Sequence, residues 1–219
     1  MTRLGREDGS ALLLALTLTL MLAAAGAAAA LTARMETLLA ASSAQSQQTL
    51  AVAEGGLARA IQELSPQSNW SPALAGVAST FVDGSPSGAR QLPGGETVVL
   101  CCGAGSLTGD LQQRGHGGQT WGANTPQWRL YAWGPASSWS ARVGAGSVFY
   151  VVVWVADDVQ DGDGDAWSDS NGLILVRSLA LGPGRGRRSV EATIRHALDE
   201  NGLPLAGQVA VITTRETRW

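Results

Sequence analysis

The chain has 219 residues and a net charge of −3 at pH 7, and its length allows one domain of about 150 residues beside an extended helical segment. The charge is too small to indicate a polyanionic partner. The two cysteines, Cys101 and Cys102, are adjacent, which excludes a framework of disulfides that close long loops. Because they lie in the apolar run 97–102, we expect both to be buried free thiols.

Residues 10–64 carry one uninterrupted helical pattern. No charged residue occurs from Gly9 to Ala33, and the segment 10–33 exceeds the roughly 20 apolar residues that a helix needs to cross a bilayer core. Helix-forming residues continue beyond it, with an apolar stripe that repeats every three or four positions: Leu50, Ala53, Leu57, Ile61 and Leu64. Proline cannot continue the hydrogen-bond ladder, so Pro66 predicts the end of the helix near Leu64.

The amino-terminal pattern has two other interpretations. Arg3 and Arg6, with small residues at 28–30, are compatible with a cleaved signal peptide, and an alanine-rich span is compatible with a plain membrane anchor. The apolar run is longer than the about 7 to 15 residues of a signal peptide, and the amphipathic helix follows it without a break. The pattern therefore favours a long helix that is half membrane-spanning and half amphipathic.

Residues 65–219 are rich in Gly, Ser, Pro and Trp, with short runs of Val, Ile, Tyr and Trp between glycine-rich turns. The predicted strands are 96–102, 127–133, 147–156, 172–181, 188–196 and 207–214. We predict loops, with room for a short helix, at 65–95 and 103–126. Alternating apolar and polar residues over 189–195 predict an antiparallel sheet. The fold class is therefore α+β, with the long helix packed on a β-rich domain, and we expect most tryptophans to pack in its core.

One loop between predicted strands is crowded with aspartates. Asp161, Asp163, Asp165 and Asp169 stand at positions 1, 3, 5 and 9 of a calcium-binding loop, which makes them candidate calcium ligands. Positions 6 and 12 depart from that pattern, because they hold Ala166 and Gly172 instead of glycine and glutamate. Without the bidentate glutamate we expect weak binding, with a Kd of roughly 10⁻⁴ to 10⁻³ M. The alternative interpretation is a solvated acidic turn.

We find no catalytic signature and expect the protein not to be an enzyme. His116 and His196 have no ligand or base partners at the required spacing, and no nucleophile elbow, phosphate loop or zinc motif is present. Arg185, Arg187 and Arg188 form a small basic turn, which is more typical of a solvated hairpin tip than of a nucleic-acid site.

The amino terminus resembles that of type IV pilins. Residues 1–9 are similar to the short charged leader, Gly9 and Ser10 to the prepilin-peptidase cleavage site, and the apolar run from Ser10 to the start of a mature pilin. Major pilins begin with phenylalanine, which is methylated, and carry glutamate as the fifth mature residue. Here these positions hold Ser10 and Leu14. A missing glutamate is typical of PilX-like minor pilins and of the K-type minor pseudopilins of type II secretion.

Two further segments resemble PilX-like minor pilins. Residues 49–60, which include Glu54 and Leu57, are similar to the end of the PilX-like amino-terminal helix. Residues 150–194, with an acidic loop, a glycine-rich turn and Val-Glu-Ala-Thr at 190–193, resemble the carboxy-terminal part of that family. In the apolar helix, Gly26 lies in a run of alanines that permits close approach of a neighbouring helix.

The resemblance implies a pilin-like fold and a role in filament assembly. The implied function is that of a minor pilin that helps to initiate a type IV pilus and lies at or near its tip, where Leu14 need not neutralise a neighbour's terminal amine. Implied partners are other minor pilins, the major pilin, prepilin peptidase and the bacterial inner membrane, with residues 65–219 in the periplasm and later on the pilus at the cell surface. Nucleic acid is not an expected partner. A K-type minor pseudopilin and a membrane-anchored, calcium-dependent binding protein are the alternatives.

Overall fold

A computed structural model describes residues 7–116, 124–139, 146–198, 204–217 and 219. The chain divides into two compact units, one that ends at Ala44 and one that spans Gln45–Trp219. The helices are α1 (Glu7–Leu64), α2 (Ser71–Leu74), α3 (Leu107–His116) and α4 (Ala136–Trp139). The strands are β1 (Ala89–Gln91), β2 (Thr97–Val99), β3 (Arg129–Pro135), β4 (Tyr150–Asp157), β5 (Leu173–Leu181), β6 (Arg187–Leu198) and β7 (Pro204–Thr217), with one 3-10 turn at Pro183–Arg185.

The second unit is built on a five-stranded antiparallel sheet in which β3 to β7 lie in sequence order. Each strand pairs with the next; Trp154 faces Arg177 across β4 and β5, and Arg177 in turn faces Glu191 on β6. A short glycine-rich turn, 182–186, joins β5 to β6, whereas the longer segments 136–149 and 158–172 join β3 to β4 and β4 to β5. A long apolar helix and an antiparallel sheet confirm the predicted α+β, pilin-like fold class.

The last part of α1 packs on one face of this sheet. Ala53, Leu57, Ala60 and Leu64 are buried in a core with alternate residues of β4, β5 and β6. Three of these positions, Ala53, Leu57 and Leu64, belong to the stripe that the sequence predicts. Ala60 is buried although it was not predicted, and the predicted Leu50 and Ile61 are only partly buried. At Gly56 the helix comes so close that an added Cβ would lie 2.5 Å from Cγ1 of Val151. Alternation along β4 sends Val151, Val153 and Val155 to this side.

The opposite face of the sheet is also covered. Tyr150, Val152, Trp154 and Ala156, which alternate with the first set along β4, join a second core with side chains of the β1–β2 hairpin region and of α3. The ring of Trp219 stacks on Trp154, with centroids 5.5 Å apart. β4 is therefore buried along its whole length, which explains its nearly unbroken apolar sequence.

The predicted strands agree with the structure except at the first. The expected strand 96–102 contains only β2, and its partner β1 lies in a region predicted to be loop. The tryptophans largely follow the expectation: Trp70, Trp128, Trp133 and Trp154 are buried, Trp167 is exposed, and Trp121 lies outside the described residues.

The prediction for the cysteines was wrong. Cys101 and Cys102 form a disulfide with each other, and neither residue is buried. The apolar run enters the core only as far as Leu100, whose side chain is fully buried. The carbonyl of Leu100 accepts hydrogen bonds from the amide and the hydroxyl of Thr108 on α3, at 3.1 and 2.7 Å. Beyond Leu100 the burial ends, since Cys101 is half-buried and Cys102 is exposed.

Candidate functional site

The first part of α1 is a helix whose apolar side chains are exposed. Helix formers and the absence of proline explain its continuity, and it contains one segment long and apolar enough to cross a membrane. Leu14 stands where major pilins carry glutamate, and it is 62% exposed. A Cβ on Gly26 would meet nothing within 4 Å, so this position is open to a neighbouring helix. Exposed apolar surface of this extent needs a partner, either lipid or other helices.

The predicted processing site lies within the same helix. Gly9 and Ser10 belong to α1, which already begins at Glu7 among the described residues. Residues 1–6 of the predicted leader lie outside the described part of the chain. The helix continues across Gly9 and Ser10 without a break, so the peptide bond between them has a regular helical environment here.

The two predicted assembly residues near the end of the helix have different environments. Leu57 is buried in the core of its own domain, beside the sheet. Glu54 is exposed. Of these two side chains, Glu54 is the one available to a neighbouring molecule.

The acidic segment connects β4 to β5. The four predicted calcium ligands in it differ in how far they are buried. Asp161 is buried, Asp163 and Asp165 are exposed, and Asp169 is half-buried. Asp163 and Asp165 each accept a hydrogen bond from the backbone amide two residues further on, at 2.9 and 3.0 Å. Asp169 accepts from the amides of Gly172 and Leu173. These bonds stabilise the turns of the loop.

A different set of carboxylates converges in the structure. Asp157 at the end of β4, Asp158 just after it and Asp161 each offer an oxygen, and these oxygens lie within 4.8 Å of one another. All three residues are buried. A cluster of this kind has the oxygen ligands that bind a hard divalent cation. Of these three residues, only Asp161 was predicted from the sequence as a ligand. The available signal was that Asp157 and Asp158 directly follow the apolar run 150–156.

Neutral donors fix the orientation of the three carboxylates. Asp157 Oδ2 accepts a hydrogen bond from the side-chain amide of Asn124. Asp158 Oδ1 accepts one from the amide of Asn171 at 2.7 Å. Asp161 accepts hydrogen bonds from both the amide and the hydroxyl of Ser170. These donors hold the groups in place without neutralising their charge.

The environment shifts the pKa values of the acidic loop in opposite directions. Burial, together with the negative charges of Asp158, Asp161 and Asp169, raises the pKa of Asp157 to about 7, although the nearby amide of Asp158 opposes the shift. Burial also acts to raise the pKa of Asp161, but the hydrogen bonds from Ser170 and from backbone amides outweigh it and lower the pKa. The pKa of Asp169 is raised by burial.

His196 packs in the interior of the domain. Its ring stacks on Trp70, with centroids 3.8 Å apart, and its side chain is buried. Burial lowers its pKa, and the charge of Asp169 opposes that shift. The side chain of His116 lies outside the described residues.

Glu191, in the Val-Glu-Ala-Thr segment, has a role that the sequence analysis missed. It is buried on β6 and accepts hydrogen bonds from Arg215 at 2.6 Å and from Arg177 at 3.5 Å. The alternation of β6 with its neighbours places these three side chains on one face of the sheet. Glu191 thereby links three adjacent strands through charge-assisted contacts.

The basic turn is largely paired. Arg187 forms an ion pair with Glu96 at 2.5 Å, and Arg188 forms one with Glu216 at 2.9 Å. The carboxylates reduce the positive charge that this turn offers to a polyanion.

Comparison of the chain with protein-family profiles, with curated proteins and with solved structures finds no significant match.

Proposed function

We propose that this protein is a minor pilin of the PilX type, which helps to initiate assembly of a type IV pilus. The observation that carries the proposal is α1 itself. One helix combines an exposed apolar segment near its amino terminus with a final part that is built into the core of a β-sheet domain. Lipid is a suitable environment for the apolar segment before assembly, and neighbouring helices are suitable after it.

Gly9, Ser10 and Leu14 supply the supporting sequence features. The leader resemblance makes Gly9 and Ser10 the site of prepilin peptidase, and methylation of Ser10 would follow. Leu14 replaces the glutamate that would be costly in hydrocarbon without a partner. A subunit without this carboxylate cannot neutralise the terminal amine of a neighbour, which favours a place at or near the filament tip.

The proposal assigns locations and partners. The apolar helix anchors the subunit in the bacterial inner membrane, with the sheet domain in the periplasm until the subunit enters a pilus at the cell surface. Its partners are the major pilin and other minor pilins. We expect no catalytic activity and no nucleic-acid binding, and the ion pairs of Arg187 and Arg188 support the latter.

The decisive test is mass spectrometry of the mature amino terminus in membranes of the native host. The proposal predicts a chain that starts at Ser10, and methylation of that amine would strengthen it. A Gly9→Leu variant should keep its leader, whereas the control Gly26→Ala, at an open position of the same helix, should be processed normally. A chain that starts near Leu31, or one that retains Met1, would overturn the proposal.

The acidic cluster favours a second candidate function, that of a membrane-anchored, calcium-dependent binding protein with no filament role. It rests on the converging carboxylates of Asp157, Asp158 and Asp161. The amino-terminal test separates the two functions, since this candidate does not require cleavage after Gly9. A K-type minor pseudopilin shares the predicted cleavage, and deletion of the gene separates it from a minor pilin: loss of pili supports the minor pilin, and loss of type II secretion supports the pseudopilin.

A further inference from the structure

We propose that Asp157, Asp158 and Asp161 form a calcium site at the end of β4, in place of the set of evenly spaced aspartates that the sequence indicates. This inference does not depend on the filament role. It concerns the sheet domain alone and a ligand set that begins inside the strand, before the acidic loop.

Burial is the first argument. Asp157, Asp158 and Asp161 are 0%, 4% and 1% exposed, so water does little to stabilise their charges. The ion pairs among the described residues involve other carboxylates, and none includes an aspartate of this cluster. Three carboxylates with oxygens within 4.8 Å of one another repel strongly at low dielectric. A bound divalent cation would offset both the lost hydration of these charges and the repulsion between them.

The second observation is an oxygen of Asp157 that has no hydrogen-bond donor in the described part of the chain. Asp157 Oδ2 is hydrogen-bonded to Asn124, but Asp157 Oδ1 is sealed from solvent and has no hydrogen-bond partner among the described residues. A buried acceptor without a donor is uncommon in folded proteins, and a bound cation would satisfy this one. The carboxyl group that carries this oxygen belongs to the group of converging ligands.

The remaining oxygens are compatible with a cation. Asp158 accepts hydrogen bonds from Asn171 and from the amide of Gln160, at 2.7 and 2.9 Å. Asp161 Oδ2 accepts from the amide of Ser170, whereas Asp161 Oδ1 accepts from the hydroxyl of Ser170 and from the amide of Asp163. Each carboxylate oxygen has two lone pairs, so both oxygens of Asp158 and Oδ2 of Asp161, with one hydrogen bond each, have room for a metal contact. The donors then act as the outer contacts that orient metal ligands.

The chemistry of the site favours calcium over magnesium. Calcium accepts six to eight oxygens in irregular geometry, whereas magnesium requires a near-ideal octahedron and retains much of its water. Three carboxylates that are all shielded from water favour the cation that gives up its hydration water more readily, which is calcium. Carboxylate oxygens also disfavour the softer transition metals, which prefer nitrogen and sulfur.

The test uses the full chain in detergent, dialysed against EDTA and then titrated with CaCl₂ alone. We expect a saturable binding heat and a rise in Tm of roughly 5 to 10 °C when calcium is present at a hundredfold excess over its Kd. Asp157→Asn should abolish both responses. This variant removes one of three repelling charges, so it should fold without metal with a Tm no lower than that of the parent chain in EDTA.

Asp163→Asn is the matched control, because Asp163 lies in the same loop but is exposed. It should retain the binding heat and the rise in Tm. Three results would overturn the assignment: no response to calcium in the parent chain; loss of binding in Asp163→Asn but not in Asp157→Asn; or an equal response to MgCl₂.

Discussion

At the scale of single residues, Trp70 joins the end of α1 to the sheet. Its indole N–H donates a hydrogen bond to the carbonyl of Leu64 at 3.0 Å, and its ring stacks on His196. The last carbonyls of a helix have no partner within the helix, so a buried helix end needs a donor of this kind. Trp70 therefore supplies both a cap for α1 and a large part of the packing beside it.

Trp70→Phe should separate these two contributions. Phenylalanine retains an aromatic ring but lacks the N–H, so the carbonyl of Leu64 would keep only the hydrogen bond from the amide of Gln67, at 3.1 Å. We expect the free energy of unfolding to fall by about 0.5 to 1.5 kcal/mol. Urea denaturation followed by circular dichroism measures the change. Trp167→Phe is the control, since the Trp167 side chain is exposed, and its effect should be small. Equal effects of the two substitutions would contradict the capping role.

His196 should make the domain sensitive to mild acid. Burial lowers its pKa below the ordinary value of 6.5, so the unfolded chain binds a proton more readily than the folded one. The stability that this residue contributes is therefore present above pH 6.5 and is lost as the pH falls through that value toward the lower folded pKa. His196→Gln removes this titration.

The measurement is the free energy of unfolding at pH 7.5 and pH 5.0 for both chains, in EDTA. The parent chain should lose more stability between the two values than His196→Gln does. Other acidic groups titrate in both chains and cancel in the comparison. An identical loss in the two chains would show that the histidine is not titrating.

At the scale of secondary-structure elements, two neighbouring glycines in α1 have opposite roles. A Cβ on Gly56 would lie 2.5 Å from Val151 Cγ1 and 2.8 Å from Ser178 Oγ, whereas a Cβ on Gly55 would meet nothing within 4 Å. Gly56 is thus the residue that permits the helix to approach β4 and β5. Gly55 has no packing role in the described structure of the domain.

Alanine at each position should test this difference. Gly55→Ala is expected to raise the free energy of unfolding by about 0.5 to 1 kcal/mol, because alanine is the better helix former. Gly56→Ala should lower it by about 1 to 3 kcal/mol, because the new methyl group collides with the sheet. Denaturant unfolding of the full chain in detergent measures both. A stabilising Gly56→Ala would show that the helix does not pack this closely.

The strands also show which secondary structure can be predicted from short-range sequence patterns. Five of the six predicted strands lie on β3 to β7 because runs of Val, Ile, Tyr and Trp between glycine-rich turns are local features. The β1–β2 hairpin is different. Ala89–Gln91 has no apolar alternation, and it pairs with β2 because the intervening turn brings Arg90 opposite Val98. Pairing between short edge strands depends on tertiary context, which single-sequence propensity does not contain.

At the scale of the whole molecule, the apolar segment of α1 should determine whether the chain inserts into a membrane. An arginine at the centre of a spanning helix costs about 3 kcal/mol of insertion free energy. Leu20→Arg places that charge inside the segment 10–33, among exposed apolar side chains. We expect the fraction of the chain that resists extraction by carbonate to fall severalfold.

Ala41→Arg is the control for this experiment. Ala41 is an exposed residue of the same helix that lies beyond the apolar segment, so an arginine there should leave extraction unchanged. If both variants extract alike, the segment 10–33 does not determine membrane association.

The sequence by itself determined the helix and the class of fold. An uncharged run from Gly9 to Ala33, an apolar stripe from Leu50 to Leu64 and a proline at 66 specify one long helix, because all three signals act between residues close in the chain. Runs of Val, Ile, Tyr and Trp between glycine-rich turns specify strands in the later segments for the same reason. The expectation that Leu57 belongs to the apolar stripe follows from spacing alone, and its burial against the sheet agrees with it.

Only the tertiary structure decided which side chains meet. Even spacing suggested that Asp161, Asp163, Asp165 and Asp169 act together, but the path of the loop turns Asp163 and Asp165 to solvent and brings Asp161 against the end of β4. The same holds for Cys101 and Cys102, whose apolar neighbours predicted burial. Convergence and burial depend on how distant segments pack, and residue spacing along the chain does not encode that packing.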